Sequence, residues 1–283
     1  TGVVVVLGAT LALRAQVLWQ ASPAGSGLEG VAASSTRCEV VGGLRADGDA
    51  IQVGPGAGAG LRTPEIAVRE RRAYRLSFET RLPGSAATAD ATVQRERFHG
   101  KELQDAPWWR VHFLAADGTT IAESPPAHRR MARLGSDWRG IVDEFYTPDR
   151  CARVGVSLGS GSPVGVLFVA DFRLEEIPPG TLLNLNPDFA LGDTNYSGYH
   201  ATTYLTQLET RPDGKVVLEM STPGWIIGDR IPVTPGQTLR LSFSAIGTCP
   251  TANCCGRLVW YRPDGTSAGE TDNLWVKTGA DRE

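Results

Sequence analysis

Two stretches decide how this chain is read: Ala73–Arg81, AYRLSFETR, and Thr238–Ile246, TLRLSFSAI, which share the tetrapeptide Arg-Leu-Ser-Phe 165 residues apart. In the first, Tyr74, Leu76 and Phe78 alternate with Arg75, Ser77 and Glu79. Period-two alternation is the mark of a half-buried β-strand, so the apolar set faces a core and the polar set faces out. Leu239, Leu241 and Phe243 repeat the arrangement. Further correspondences keep the same order. Arg45-Ala46-Asp47-Gly48 matches Arg211-Pro212-Asp213-Gly214, Ile66 and Val68 match Ile231 and Val233, and RVHFLAADGTT (Arg110–Thr120) matches RLVWYRPDGTS (Arg257–Ser267). The last pair is offset by 147 residues, which places 18 extra residues in the first copy, around the polar stretch ending at Asp105. A long-period internal duplication accounts for this order.

Composition agrees with a β-rich chain. With 41% hydrophobic and 21% charged residues it is a folding composition, and 33 Gly and 18 Pro against two Met suit many short strands and turns. The formal net charge is −3, with both signs interleaved, so bulk charge asks for no nucleic-acid partner. The basic cluster HRRMAR (His128–Arg133) reads as a solvated loop.

Further runs such as WWRVHFL, WRGIVDEFYT, RVGVSLG and VGVLFVADFRLEEI give strands at the spacing of an all-β sandwich. The segment LLNLNPDFALG (Leu182–Gly192), followed by VTPGQTLRLSFSA and RLVWYRPDG, resembles the galactose-binding-like jelly rolls of the carbohydrate-binding-module type. The first copy carries the later elements, VRERRAYRLSFE and VHFLAADGTTI, without the opening motif or the Pro-Gly turn. The resemblance implies two tandem jelly-roll β-sandwich domains, residues 37–178 and 179–283. After Asp264-Gly265 the second copy runs about 40 residues shorter than the first, so it is expected to be C-terminally incomplete, with sequence continuing beyond Glu283. The motif positions are core and turn residues, which specify a fold and leave the ligand open.

The segment TGVVVVLGATLAL is uncharged to Arg14 and is followed by Trp19. Residues 1–20 are therefore expected to form a membrane-anchoring helix, with Arg14 and Trp19 at its interfacial end and Gly8, Ala9 and Ala12 against a neighbouring helix. Residues 21–36 serve as a flexible linker. This places both sandwiches on the periplasmic or extracellular side of a membrane, with lipid and other membrane-protein subunits as partners. Five cysteines, Cys38, Cys151, Cys249, Cys254 and Cys255, fit an oxidising compartment, with a Cys38–Cys151 disulfide and a second bridge from Cys249 to Cys254 or Cys255.

Glycan-binding sandwiches of the resembled type stack sugars on exposed aromatics, which singles out Trp108, Trp138 and Trp225, with Tyr146, Tyr199 and Trp275 also to be placed. Trp109, Val111 and Phe113 share the inward face of one strand, so parity turns Trp108 outward, either as a sugar platform or as a surface covered by the inserted loop. Asp193, Asn195 and Ser197 imitate the start of a calcium loop, but its twelfth position is Tyr204 instead of a bidentate acid, leaving a structural calcium as a weak candidate and no other cofactor. No nucleophile elbow, zinc-protease motif or phosphate loop occurs, and Asp143 and Glu144 read as exposed strand charges. The function expected from these features is a non-catalytic, membrane-anchored scaffold or accessory subunit, with a glycan-binding module region as the alternative.

Overall fold

The computed structural model of the chain describes residues 16–21, 37–45, 48–55, 60–83, 107–121, 129–130, 134, 136–160, 165–178, 185, 199–201, 206–220, 226–228, 230–241, 243 and 253–277. The chain divides into two compact units, Thr1–Pro232 and Val233–Glu283.

In the first unit the strands are β1 (Gln16–Ala21), β2 (Cys38–Val41), β3 (Ala50–Val53), β4 (Gly60–Arg62), β5 (Ile66–Ala67), β6 (Ala73–Arg81), β7 (Trp108–Leu114), β8 (Arg129–Arg130), β9 (Arg139–Tyr146), β10 (Arg153–Gly159) and β11 (Leu167–Glu176). Among the described residues they form two antiparallel sheets. One runs β2-β3-β11-β6-β9, with β1 also on β11; the other runs β4-β10-β7-β8, with β5 also on β10. Tyr74, Leu76 and Phe78 of β6 are fully buried, as the alternation requires, and Val154, Val156 and Leu158 of β10 meet them from the opposite sheet in one core. Phe78 joins the layers: its ring lies 5.5 Å from Phe172 and 6.0 Å, edge-on, from Trp109.

Strand β11 shows how a break in alternation is absorbed. Leu167 and Val169 point inward, yet so do Phe172 and Leu174, which strict alternation would turn outward. The ladder to β6 slips between Ala170 and Arg173, and Asp171 there takes a left-handed φ of 52°. One extra residue resets the parity. The carboxylate of Asp171, turned out of the sheet, pairs with Arg45 at 2.8 Å.

The core also holds a carboxylate. Asp143 is fully buried and accepts a 2.8 Å hydrogen bond from Trp109 Nε1, joining β9 of one sheet to β7 of the other. Its neighbour Glu144 points the opposite way and is bound at 2.6 Å by Arg75. Neither is an exposed strand charge. Alternation sends these consecutive residues to opposite faces of one sheet, so they cannot flank a common substrate as a catalytic pair.

Later segments give antiparallel pairs: β12 (Tyr199–Ala201) with β15 (Ile226–Gly228), and β13 (Thr206–Thr210) with β14 (Val216–Met220). In the second unit, β16 (Asn253–Gly256) pairs with β19 (Leu274–Lys277), and β17 (Val259–Tyr261) with β18 (Ser267–Glu270). Arg240, Leu241 and Phe243 of the second Arg-Leu-Ser-Phe are not in a strand. Phe243 is 41% exposed, although it and Leu241 still lie on the same side, over Gly256. The third correspondence of the duplication holds in atomic detail. In one copy Gly118 N donates to Ala115 O, and Thr119 N and Oγ1 both donate to Asp117 Oδ1; in the other Gly265 N donates to Arg262 O, and Thr266 N and Oγ1 both donate to Asp264 Oδ1. Gly118 and Gly265 share a φ of 86°. Hydrogen bonds from the threonines hold both aspartates below the usual carboxylate range.

Two further expectations are corrected. Residues 16–20 are not the end of a helix: Gln16–Ala21 is a strand antiparallel to β11, and the Trp19 ring packs 6.1 Å from Phe172. Gln16–Ala21 pairs with β11 and Trp19 packs on Phe172, so Trp19 does not end a helix and the anchored-scaffold reading loses that support. Among the described residues no helix is long and apolar enough to cross a membrane. Gly8, Ala9, Ala12 and Arg14 lie outside the described residues. The Cys38–Cys151 bridge is likewise absent: both are thiols, Cys38 donating to Gly60 O at 3.2 Å and Cys151 to Arg153 O at 3.3 Å. Gly60 pairs with Gly159 at one end of β10, whereas Cys151 precedes Arg153 at the other. Seven strand residues span about 20 Å, several times the reach of a disulfide. Cys255 is also a thiol, and Cys249 lies outside the described residues together with the side chain of Cys254.

Two measurements check this core. Trp109→Phe keeps the aromatic packing but leaves Asp143 without its indole donor, and is expected to cost about 1 to 3 kcal/mol in urea unfolding, as for a buried acceptor that loses its donor. Burial pushes the Cys151 thiol up to about 11. At pH 8 only about 0.1% of it is then thiolate, so iodoacetamide should label Cys151 far more slowly in the folded protein than in urea.

Candidate functional site

Strand β10 reads RVGVSLG, and its alternation puts Val154, Val156 and Leu158 in the core and Gly155, Ser157 and Gly159 on the outer face. Those three small residues form the floor of a trough. The wall on one side is β7, where Trp109 and Val111 are buried, so Trp108, Arg110 and His112 face outward. On the other side is β4, where Leu61 is buried and Arg62 is exposed. Register then sets the rows. Gly159 lies opposite Trp108 and Gly60, Ser157 opposite Arg110 and Arg62, and Gly155 opposite His112. Arg130 of β8 pairs with Trp108.

The geometry depends on the glycines. A Cβ on Gly159 would fall 2.6 Å from Cε2 and Nε1 of the Trp108 indole and 2.7 Å from Cζ2, so the ring leans across the bare backbone of β10. A Cβ on Gly155 would meet no atom of the described residues within 4 Å, although Gly155 itself is buried. His112 Nε2 and Ser157 Oγ are 2.8 Å apart, which ties the imidazole to the floor. At the far end Arg153 is bound to Glu65 at 2.7 Å and to Ala116 O at 3.0 Å. The trough thus offers a half-buried indole with polar donors about 7 Å further along the strands, since rows two residues apart have that spacing. An aromatic ring beside fixed donors is suited to a ligand with an apolar face and a polar rim.

The other tryptophans are placed differently. Trp138 is partly buried, and the guanidinium carbons of Arg45 and Arg81 lie 5.2 and 5.0 Å from its ring centroid. Arg81 also lies 5.5 Å from the Phe168 ring, and Arg45 pairs with Glu79 and Asp171. Trp138 is therefore held in a cation–π cluster at the first sheet and does not share a face with Trp108. Trp225 lies outside the described residues, as do Asp193, Asn195 and Ser197. The described residues contain no group of three or more His, Cys, Asp or Glu able to hold a metal. Tyr146 is half-buried on β9, Trp275 is 63% exposed in the second unit, and Tyr199 opens β12.

Sequence reasoning singled out Trp108 but missed Arg62, Arg110, His112, Ser157 and Gly159. The signal was present in RVGVSLG, whose every second residue from Gly155 is small. What linked it to Trp108 was strand pairing across a sequence separation of some 50 residues.

No family model matches the sequence and no curated protein matches it. Among solved structures, the chain is similar to the CBM22-1 xylan-binding domain from Paenibacillus barcinonensis Xyn10C, at 14% identity and a TM-score of 0.41, covering 59% of this chain and 97% of that one. It is also similar to the CBM22-1-CBM22-2 tandem domain of the same protein, at 14% identity and a TM-score of 0.41, covering 74% of this chain and 61% of that one. A further likeness is to a family 16 carbohydrate-binding module, at 15% identity and a TM-score of 0.37, covering 54% and 95%. These likenesses are ones of fold alone.

Gly159→Ala tests the placement of the indole. The added methyl is expected to displace the Trp108 ring and to change the tryptophan emission, and the same substitution in a Trp108→Phe background should change it much less.

Proposed function

We propose that the first sandwich is a non-catalytic glycan-binding domain and that its ligand lies on the outer face of β4, β10 and β7, stacked on Trp108. The observation that carries this reading is the indole folded over Gly159, next to a floor of small residues and walls of hydrogen-bonding side chains. A pyranose ring has an apolar face of C–H bonds and an equatorial rim of hydroxyls. The indole takes the face; Arg62, Arg110, His112 and Ser157 lie where they can meet the rim. Binding of this kind requires no bond to be made or broken, and among the described residues the outward positions of β4, β7 and β10 carry no carboxylate to protonate a glycosidic oxygen.

Screening the full chain against polysaccharides by affinity electrophoresis tests the reading. Trp108→Ala is expected to weaken retention by about tenfold or more, in line with loss of a central aromatic anchor, with the unfolding midpoint little changed because the ring lies outside the core. Trp138→Ala, at the other sheet, should leave retention as it is. Equal retention of wild type and Trp108→Ala would refute the site.

A further inference from the structure

The trough beside Trp108 has a closed end. Its floor, β10, begins at Arg153, which alternation turns to the same outer face as Gly155, Ser157 and Gly159. Arg153 pairs in register with Ala67 of β5 on one side and with Leu114 of β7 on the other, and its guanidinium bonds on both sides. Nη1 lies 2.7 Å from Oε2 of Glu65, which precedes the buried Ile66 of β5 and so faces outward. Nη2 donates at 3.0 Å to the carbonyl of Ala116, in the turn that follows β7. The side chain is therefore a bar laid across the end of β10, from one neighbouring strand to the other.

Burial shows that this end is filled. Phe113 packs against the core, so Leu114 takes the outer side, yet Leu114 is only 3% exposed. Arg153, its partner in register, passes it to reach Ala116. The turn is also near, since a Cβ on Gly118 would lie 3.5 Å from Arg153 Nη2. One row closer to Trp108, Gly155 is buried, and the imidazole of His112 opposite it is tied to Ser157. The distance from the row of Trp108 and Gly159 to the row of Leu114 and Arg153 is six residues (159 − 153), about 20 Å, which is a few sugar rings. A polymer lying along the strands with one ring on the indole cannot continue past the bar. A terminal sugar differs from an internal one by a free hydroxyl where the next linkage would be, and the bar holds a donor and an acceptor, Arg153 and Glu65, to meet it.

From this juxtaposition we infer that the Trp108 trough takes the terminus of a glycan chain, with its last sugar against the Arg153 bar, and not an internal stretch. This rests on the glycan-binding reading and specifies which part of the polymer is bound. One closed end is sufficient for it. The ion pair of the bar joins partners that are both more than a third exposed, so it adds little to stability, and its effect on a ligand is steric.

The full chain is to be bound to xylan, β-glucan, galactan and dextran, each intact and after partial hydrolysis, at equal mass. Ends grow in number as chains shorten, so halving the mean length of the polymer that is retained should double the amount of protein bound at saturation. Borohydride reduction of short oligosaccharides from that polymer identifies the terminus: it opens the reducing-end ring and abolishes binding there, whereas binding at a non-reducing end persists. Arg153→Ala removes the bar, and Glu65→Ala unties it on one side; both change exposed or half-exposed residues, so the unfolding midpoint should move little. Either variant should bind the intact polymer at several-fold higher capacity and lose the dependence on chain length. A wild-type capacity that stays constant as the polymer is shortened would overturn the inference, as for a chain lying across the strands, and leave the glycan-binding reading standing. So would a length dependence that persists unchanged in both variants. Failure of all four polymers and their fragments to be retained would refute the underlying reading itself.

Discussion

The hydrogen bond from Trp109 Nε1 to Asp143 Oδ2 ties the two sheets together, and much of the architecture depends on it. A carboxylate with none of its surface exposed is unfavourable unless its oxygens are met, and the indole N–H of the opposite sheet meets one of them. The bond therefore constrains which way β7 and β9 can face. If Trp109 points inward, Trp108 must point outward. The Phe78 ring, wedged between Trp109 and Phe172, holds the same orientation from the side. The trough on the outer face is thus a consequence of how the core is closed, and its platform residue is fixed in direction by its neighbour in sequence.

The two outer faces have separate physical roles. The first sheet covers its polar side with its own ion pairs and with the cation–π cluster around Trp138. Most of these pairs keep at least one partner well exposed to solvent, so their individual contributions to stability are modest. Their effect is to leave that surface electrostatically complete. The second sheet combines an indole, a floor of small residues and basic side chains without outward acids on the same strands. Function in β-sandwiches is carried by such local departures on a generic scaffold.

Parts of the sequence pointed the wrong way for physical reasons that the structure makes explicit. Trp19 following Arg14 has the pattern of a membrane helix end, but Val17, Leu18 and Trp19 lie in a strand paired with β11, and residue type alone does not choose between the two. Cys38 and Cys151 are the two cysteines of the first copy, but sharing a domain does not bring them within reach. They lie near opposite ends of β10, each thiol bound to a backbone carbonyl. Asp143 and Glu144 read as surface charges because carboxylates usually are. Which one is buried follows from strand parity, and why it is tolerated follows from a partner on another strand.

Alternation in AYRLSFETR, WWRVHFL and RVGVSLG was enough to determine the strands, the inward set Tyr74, Leu76, Phe78, Trp109 and Val111, and the outward direction of Trp108, because side-chain direction in a strand is a local property with period two. The Asp-Gly-Thr turns were equally legible, since their hydrogen bonds join residues only a few positions apart. Tertiary structure alone decided which strands are neighbours. Register brought Gly159 under Trp108, set Arg62 and Arg110 on either side of Ser157, and moved Trp138 to the other sheet. Pairing between segments separated by dozens of residues depends on the packing of the whole core, and that information is spread over the chain instead of residing in any motif.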